Sequence, residues 1–200
     1  MRRDSRRPAW LPRCIVALRI SVLWLLLCTS LWAQSPASAI NREYPLKAAY
    51  LYNFGSYVQW PDGVFANASD PFVIGILGSD PFGTLLDEIA DSKKIAGRKI
   101  VVRRFRTADS VDRCQMLFIT ASTPDDLYKA AIDKLKTAPV LIVAERPGRV
   151  LRGAIINFTI EDNKVRFEIN RESAQRHRLS ISSKLLSLAK LVDGSDATRK

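Results

Sequence analysis

His177 is the single histidine of this 200-residue chain. A general base needs an orienting partner and a pocket. Arg176 and Arg178 flank His177 and disfavour its protonated form, so the sequence places it on the solvated surface. Cys14 and Cys28 fall within the first 39 residues. Cys114 stands between Arg113 and the apolar residues 116–119 and reads as a buried structural thiol. An intermolecular disulfide or a redox role is the alternative. One histidine and one remaining cysteine cannot assemble a zinc site of ordinary composition. Ser187 and Lys190 have the spacing of a serine–lysine acylase, but their helix-like stretch lacks the companion motifs. No catalytic residue, cofactor or metal is expected.

Residues 75–83 (GILGSDPFG) form a glycine-rich strand-to-helix turn. Such a turn can aim backbone N–H groups at an anion. It is neither a phosphate-binding loop nor a dinucleotide fingerprint, and Asp80 would repel an anion. A tight turn that lets the backbone pass close to a neighbour is the plainer reading. Gly78, Asp80 and Phe82 are its candidate groove residues. Tyr50, Tyr52, Asn53, Phe54, Tyr57 and Trp60 crowd one helix and its exit. One apolar stripe cannot bury them all. Tyr50, Asn53, Phe54 and Trp60 are therefore candidates for dimer contact, partner contact or a ligand groove. Arg98, Lys99, Arg103, Arg104 and Arg106 form a basic patch on one strand. Alternation sets Arg104 and Arg106 on one face and Arg103 on the other. Charge of this kind protects an edge strand from pairing.

The elements that position these residues follow from periodicity. Residues 44–59 read as a helix with Pro45 in its first turn, where the missing N–H is harmless. Its recurring positions are Leu46, Ala49, Tyr50, Asn53, Phe54 and Tyr57. Residues 71–77, 100–105, 115–121 and 139–145 read as four strands, the third one central. Helices intervene, one opened by Asp80 and Pro81 and ending near Lys93, the next running from Thr123 to about Lys136. Residues 154–160 and 165–169 form a β-hairpin signal. Asn170 can cap a short helix, and a further helix starts near Ser182 and carries Leu185 to Leu191. The fold class is therefore α/β, a single domain. Its mostly parallel or mixed sheet is flanked by helices, with a C-terminal β-hairpin and helix.

The first 39 residues differ from the rest. Five arginines among residues 2–13 precede an almost wholly apolar run over 20–32, and Ala37-Ser38-Ala39 offers a small-residue cleavage site. This is the pattern of an export signal cut after Ala39, or else after Ala33. Arg19 interrupts the only stretch long enough for a membrane anchor. The organisation is signal peptide 1–39, one domain 40–192 and a polar tail 193–200. The signal removes six arginines and one aspartate. The remainder holds 25 basic against 19 acidic residues, a net charge of +6 rather than +11. Outside the cytoplasm that surplus meets no nucleic acid, and plain solubility explains it.

Four stretches in order resemble the YfiR-like (YfiR/HmsC-like) family of periplasmic regulators. They are YPLKAAYLYNF (44–54) with Trp60-Pro61, ILGSDPFG (76–83), CQMLFI (114–119), and VRFEIN (165–170) followed by LSISSKLL (179–186). The resemblance covers about residues 43–190. It implies a periplasmic, non-enzymatic, dimeric repressor. Such a repressor binds the periplasmic part of an inner-membrane diguanylate cyclase or sensor protein and lowers cyclic-di-GMP and biofilm. It further implies an outer-membrane lipoprotein that sequesters the repressor. Family members carry stabilising disulfides. Cys114 stands at a family cysteine position without a partner in residues 40–200, and Arg152-Gly153 stands where a double glycine is common. Redox control by an internal disulfide is therefore not expected. The rival reading is a small-ligand sensor whose pocket is lined by the glycine turn and the aromatic helix. An enzyme is the third reading, without a nucleophile–base pair to support it.

Overall fold

A computed structural model of the chain describes residues 37–193, with side chains from residue 42. The expected export signal 1–39, apart from residues 37–39, and the expected tail 193–200, apart from residue 193, lie outside the described residues. In chain order the elements are α1 (Ala37–Tyr57), β1 (Val58–Gln59), β2 (Phe72–Leu77), α2 (Leu85–Ser92), β3 (Lys94–Ile95), β4 (Arg98–Phe105), β5 (Met116–Ile119) and α3 (Asp125–Leu135). There follow β6 (Leu141–Ala144), a 3₁₀ turn (Arg149–Arg152), β7 (Ile156–Glu161), β8 (Lys164–Asn170), α4 (Arg171–Arg176), β9 (Ser180–Ile181), α5 (Ser183–Leu186) and β10 (Lys190–Val192).

The main sheet has the order β10-β8-β7-β6-β5-β2-β4-β3. β4, β2, β5, β6 and β7 run parallel; β8 is antiparallel to β7, and β3 to β4. From β2 the chain moves outward to β4, and from β5 it moves the other way to β6. The direction of winding thus switches between β2 and β5, the place where open α/β sheets offer a crevice.

Period-two alternation divides the core into two layers. Phe72, Ile74 and Ile76 of β2 face one side with Met116, Phe118, Leu141 and Val143, against α1 and α2. Val73 and Leu77 face the other with Leu117, Ile119, Ile142 and Ala144, against Tyr128, Ala131 and Leu135 of α3. The spacing of those three α3 residues is that of one helix face. Gly75 is glycine because the Phe105 ring covers it: an added Cβ would lie 2.7 Å from Cε2.

Four sequence expectations need correction. The helix expected from Asp80-Pro81 starts at Leu85. Asp80 instead accepts the Phe82 N–H at 2.7 Å, closing an Asx turn. The C-terminal helix is one turn, Ser183–Leu186, capped by Ser182. Beyond it Lys190–Val192 pairs parallel with β8, because the edge of β8 offers ladder partners that an isolated helical turn lacks. Pro45 lies within α1, which begins upstream at Ala37. Finally, the buried face of α1 is Lys47, Ala48, Leu51 and Phe54, continued by Val58 of β1, not the stripe through Leu46, Ala49 and Asn53, which is exposed. The charged Lys47 takes a core position because two carboxylates meet it there.

Candidate functional site

The aromatic residues of α1 mostly serve the core. Phe54 is fully buried and stacks on Phe158 at 5.6 Å, with Phe167 edge-on at 5.1 Å. Tyr50 is half-buried and joins Phe54, Phe158 and Phe167. Each such buried ring contributes about 1.5–3 kcal/mol by burial alone. Trp60, also half-buried, sits edge-on to Phe72 at 5.0 Å, and its Nε1–H donates to the Gln115 carbonyl at 3.1 Å. Of the four candidates on α1 and its exit, Asn53 alone faces outward. It shares an exposed stripe with Leu46, Ala49 and Ser56, at helical steps of three and four.

Gly78, Asp80 and Phe82 do not line one groove. Gly78 (φ +102°) sits at the switch point. A Cβ there would fall 2.4 Å from Thr120 Oγ1 and 2.5 Å from Thr123 Oγ1, so the backbone passes close to β5's exit. Phe82 is buried, edge-on to Tyr44 and Phe118. Asp80 accepts from Arg104 Nε at 2.7 Å, and Arg104 Nη2 reaches Asp87 at 2.6 Å. These pairs raise the pKa of Arg104 further. Arg103 points to the opposite face, near Asp112. β4 is next to the sheet edge, with only Arg98 and Lys99 covered by β3.

Cys114 is buried, and desolvation pushes its thiol up to about 12, so it is neutral at physiological pH. It lies against a cavity of about 970 Å³ at the amino ends of β2, β5 and β6. Val73, Val111, Leu135 and Val140 supply apolar wall; Arg103, Arg113 and Lys134 supply positive charge, and Asp70 and Asp112 negative charge. Neither the glycine turn nor the aromatic residues of α1 line it.

His177 corrects the expectation of a surface residue. It is 4% exposed. The face of α4 that carries Ser173 and Ala174 turns inward and takes His177 with it. Nδ1 lies 2.7 Å from the Ala138 carbonyl, which can only accept, so Nδ1 carries the proton. Burial holds its pKa below the ordinary histidine value.

The sequence reading missed the buried ion network at the carboxyl ends of the strands. Lys47 Nζ donates to Glu145 and Glu43, both at 2.5 Å, and Glu145 also accepts the Ala121 N–H at 2.7 Å. Burial opposes the ammonium charge, yet the bonds to Glu145 and Glu43 hold its pKa above the ordinary lysine value. The network fastens α1 to the exits of β5 and β6. The available signal was a lysine one turn before Leu51 on the face that also carries Phe54 and Val58.

No curated protein matches the chain. A solved structure of an ABC domain in complex with L-Trp from Streptococcus pneumonia is similar at 12% identity, with a TM-score of 0.47. The similarity covers 60% of this chain and 55% of that one. The family described as YfiR/HmsC-like matches residues 44–190, from the first full turn of α1's described side chains to the start of β10. That span takes in both core layers and every strand of the main sheet except β10, of which it reaches the first residue, and the chain belongs to the YfiR/HmsC-like family.

Proposed function

We infer that this protein, a member of a family of periplasmic regulators in cyclic-di-GMP signalling, is exported and loses residues 1–39 by cleavage. No helix among the described residues is long and apolar enough to cross a membrane. In the periplasm the protein represses an inner-membrane diguanylate cyclase by binding the cyclase's periplasmic part. The observation that carries this reading is the family match over residues 44–190. Repression by contact requires higher affinity for the inactive cyclase than for the active one. The surface assigned to contact, with the cyclase or with a second copy, is the α1 stripe Leu46, Ala49, Asn53 and Ser56. It is an exposed, small and weakly polar face on a helix otherwise fixed in the core.

Deleting the gene should raise cyclic-di-GMP and biofilm. Replacing Asn53 with Arg should reproduce that phenotype at normal protein level and fold, and should abolish calorimetric binding to the cyclase's periplasmic segment. Unchanged cyclic-di-GMP after deletion, with no binding by the parent protein, would sink the reading.

The cavity favours a second reading, a small-ligand sensor. Its volume of about 970 Å³ suits a small molecule, and its apolar wall with three basic and two acidic side chains suits an amphiphilic molecule that carries a carboxylate. A saturable thermal shift with aromatic carboxylates, lost on Val140→Trp, is the outcome that distinguishes it.

A further inference from the structure

Three guanidinium groups converge on one carboxylate at the exits of β5 and β6. Arg146 Nη1 and Arg149 Nη2 each lie 2.7 Å from Asp125 Oδ1, and Arg152 Nη1 lies 3.0 Å from Oδ2. Asp125 opens the eleven-residue helix α3. Tyr128 N–H is the first to reach a carbonyl behind it, that of Pro124 at 2.9 Å. The N–H groups of residues 125–127 therefore point out of the helix end, where the peptide dipoles favour an anion.

A second observation, independent of the helix end, points to a ligand. Arg149 is 3% exposed, its guanidinium lies 3.8 Å over the Tyr128 ring, and Tyr128 Oη donates to the Arg149 and Arg152 carbonyls. Its Nη2 is spent on Asp125, while its Nη1 has no hydrogen-bond partner among the described residues. A buried cationic N–H group without an acceptor is costly and calls for an explanation. Asp126, the other carboxylate in the first turn, pairs with none of the three guanidiniums, and even with its charge counted one positive charge is left over. Neighbouring Glu145 does not cancel it, being engaged by Lys47 and the Ala121 N–H.

We propose that this cluster is a binding site for a phosphate group, with the Asp125 carboxylate as a resident occupant that an external phosphate displaces. Guanidinium forks match the oxygens of phosphate in pairs. Asp125 is half exposed and can leave without disturbing the core. Arg149, fixed by Tyr128 and burial, is the rigid floor; Arg146 and Arg152, both exposed, are the arms. A phosphate has more acceptor oxygens than the carboxylate and can supply Arg149 Nη1 as well as the helix N–H groups. The location fits the general rule that α/β sheets bind ligands outside the carboxyl ends of their strands. It is separate from the cavity, which lies at the amino ends.

The test titrates the purified protein with inorganic phosphate, glycerol phosphate and sulfate at ionic strength fixed with chloride, by calorimetry and by thermal unfolding. A phosphate probe is expected to bind saturably and raise Tm. Arg152→Gln and Arg146→Gln, both at exposed positions, should each weaken binding about tenfold, which corresponds to roughly 1.4 kcal/mol. Asp125→Asn removes the internal competitor and should tighten binding several-fold, an outcome that a merely structural Asp125 would not give. Tighter binding of glycerol phosphate than of inorganic phosphate assigns an organic phosphate; the reverse assigns the free ion. The proposal fails if neither phosphate saturates, if both arginine variants bind as the parent does, or if Asp125→Asn binds more weakly.

Discussion

The two ends of the parallel strands satisfy their buried polar groups by different means. At the carboxyl ends the work is done by charge. Lys47 joins Glu43 and Glu145, Arg104 joins Asp80 and Asp87, and three arginines meet Asp125. At the amino ends it is done by amide oxygens. Trp60 donates to the Gln115 carbonyl, His177 to the Ala138 carbonyl and the Val73 N–H to the Gln115 side chain, all neutral donors, while the charged Arg98 and Lys134 serve backbone carbonyls nearer the surface. The difference teaches where sensitivity to the environment resides. A charged network responds to removal of one partner, because the other is left buried and uncompensated. A neutral network responds to pH when one of its donors can be forced to take a proton.

The strongest way to break this comparison is Lys47→Met. The methionine fills the space but strands the Glu145 carboxylate, whose side chain is 2% exposed. The expected loss is about 3–5 kcal/mol of unfolding free energy, measured by urea denaturation. Adding Glu145→Gln should recover a large part of it, since the amide still accepts the Ala121 N–H while carrying no charge. If the single variant unfolds as the parent does, charge does not hold α1 to the strand exits.

The sequence exposed the scaffold of this comparison better than its chemistry. The apolar runs of β2, β5 and β6 lie between glycine, proline and polar residues and are buried on both faces, so their period and length were enough. The β7–β8 hairpin announced itself through the turn at 161–164, where Asp162 and Asn163 adopt positive φ. β10 was hidden because three residues cannot display a period, and their pairing with β8 is a tertiary fact. His177 was misplaced because its chain neighbours are charged, whereas the short helix before it decides which way it points. Lys47, Glu145 and the cluster around Asp125 join residues 21–98 positions apart in the chain, and no local pattern records such a meeting. The aromatic crowd of α1 was conspicuous for a structural reason: Phe54 and Tyr50 fill the gap over β7 and β8.

A smaller effect sharpens the neutral side of the contrast. Burial lowers the pKa of His177 in the fold below its unfolded value near 6.5. The unfolded chain then binds the extra proton first, so stability is fully present above pH 6.5. It falls as pH drops through that value toward the folded pKa. His177→Leu should cost about 1 kcal/mol at pH 8 by removing its bond to the Ala138 carbonyl, which keeps only the Val140 N–H, and should flatten the slope between pH 7 and 5. A variant that keeps the parent's slope would assign the pH response to another group.

The smallest effect tests whether burial, and not charge alone, gives the carboxyl-end networks their weight. Arg104 makes four hydrogen bonds against two for Lys47, reaching Asp80, both oxygens of Asp87 and the Gly83 carbonyl. Its side chain is 41% exposed, against 4% for Lys47. Water replaces its partners when it is lost, and both aspartates can rehydrate. Arg104→Gln is therefore expected to cost less than about 1 kcal/mol and to cost less still in high salt, where surface attraction is screened. The same urea experiment run at two salt concentrations reads both quantities. A loss near that of Lys47→Met, insensitive to salt, would mean that the turn at Asp80 depends on Arg104 for its shape. The division between buried and exposed networks would then give way to one between networks that hold a turn and networks that hold a helix.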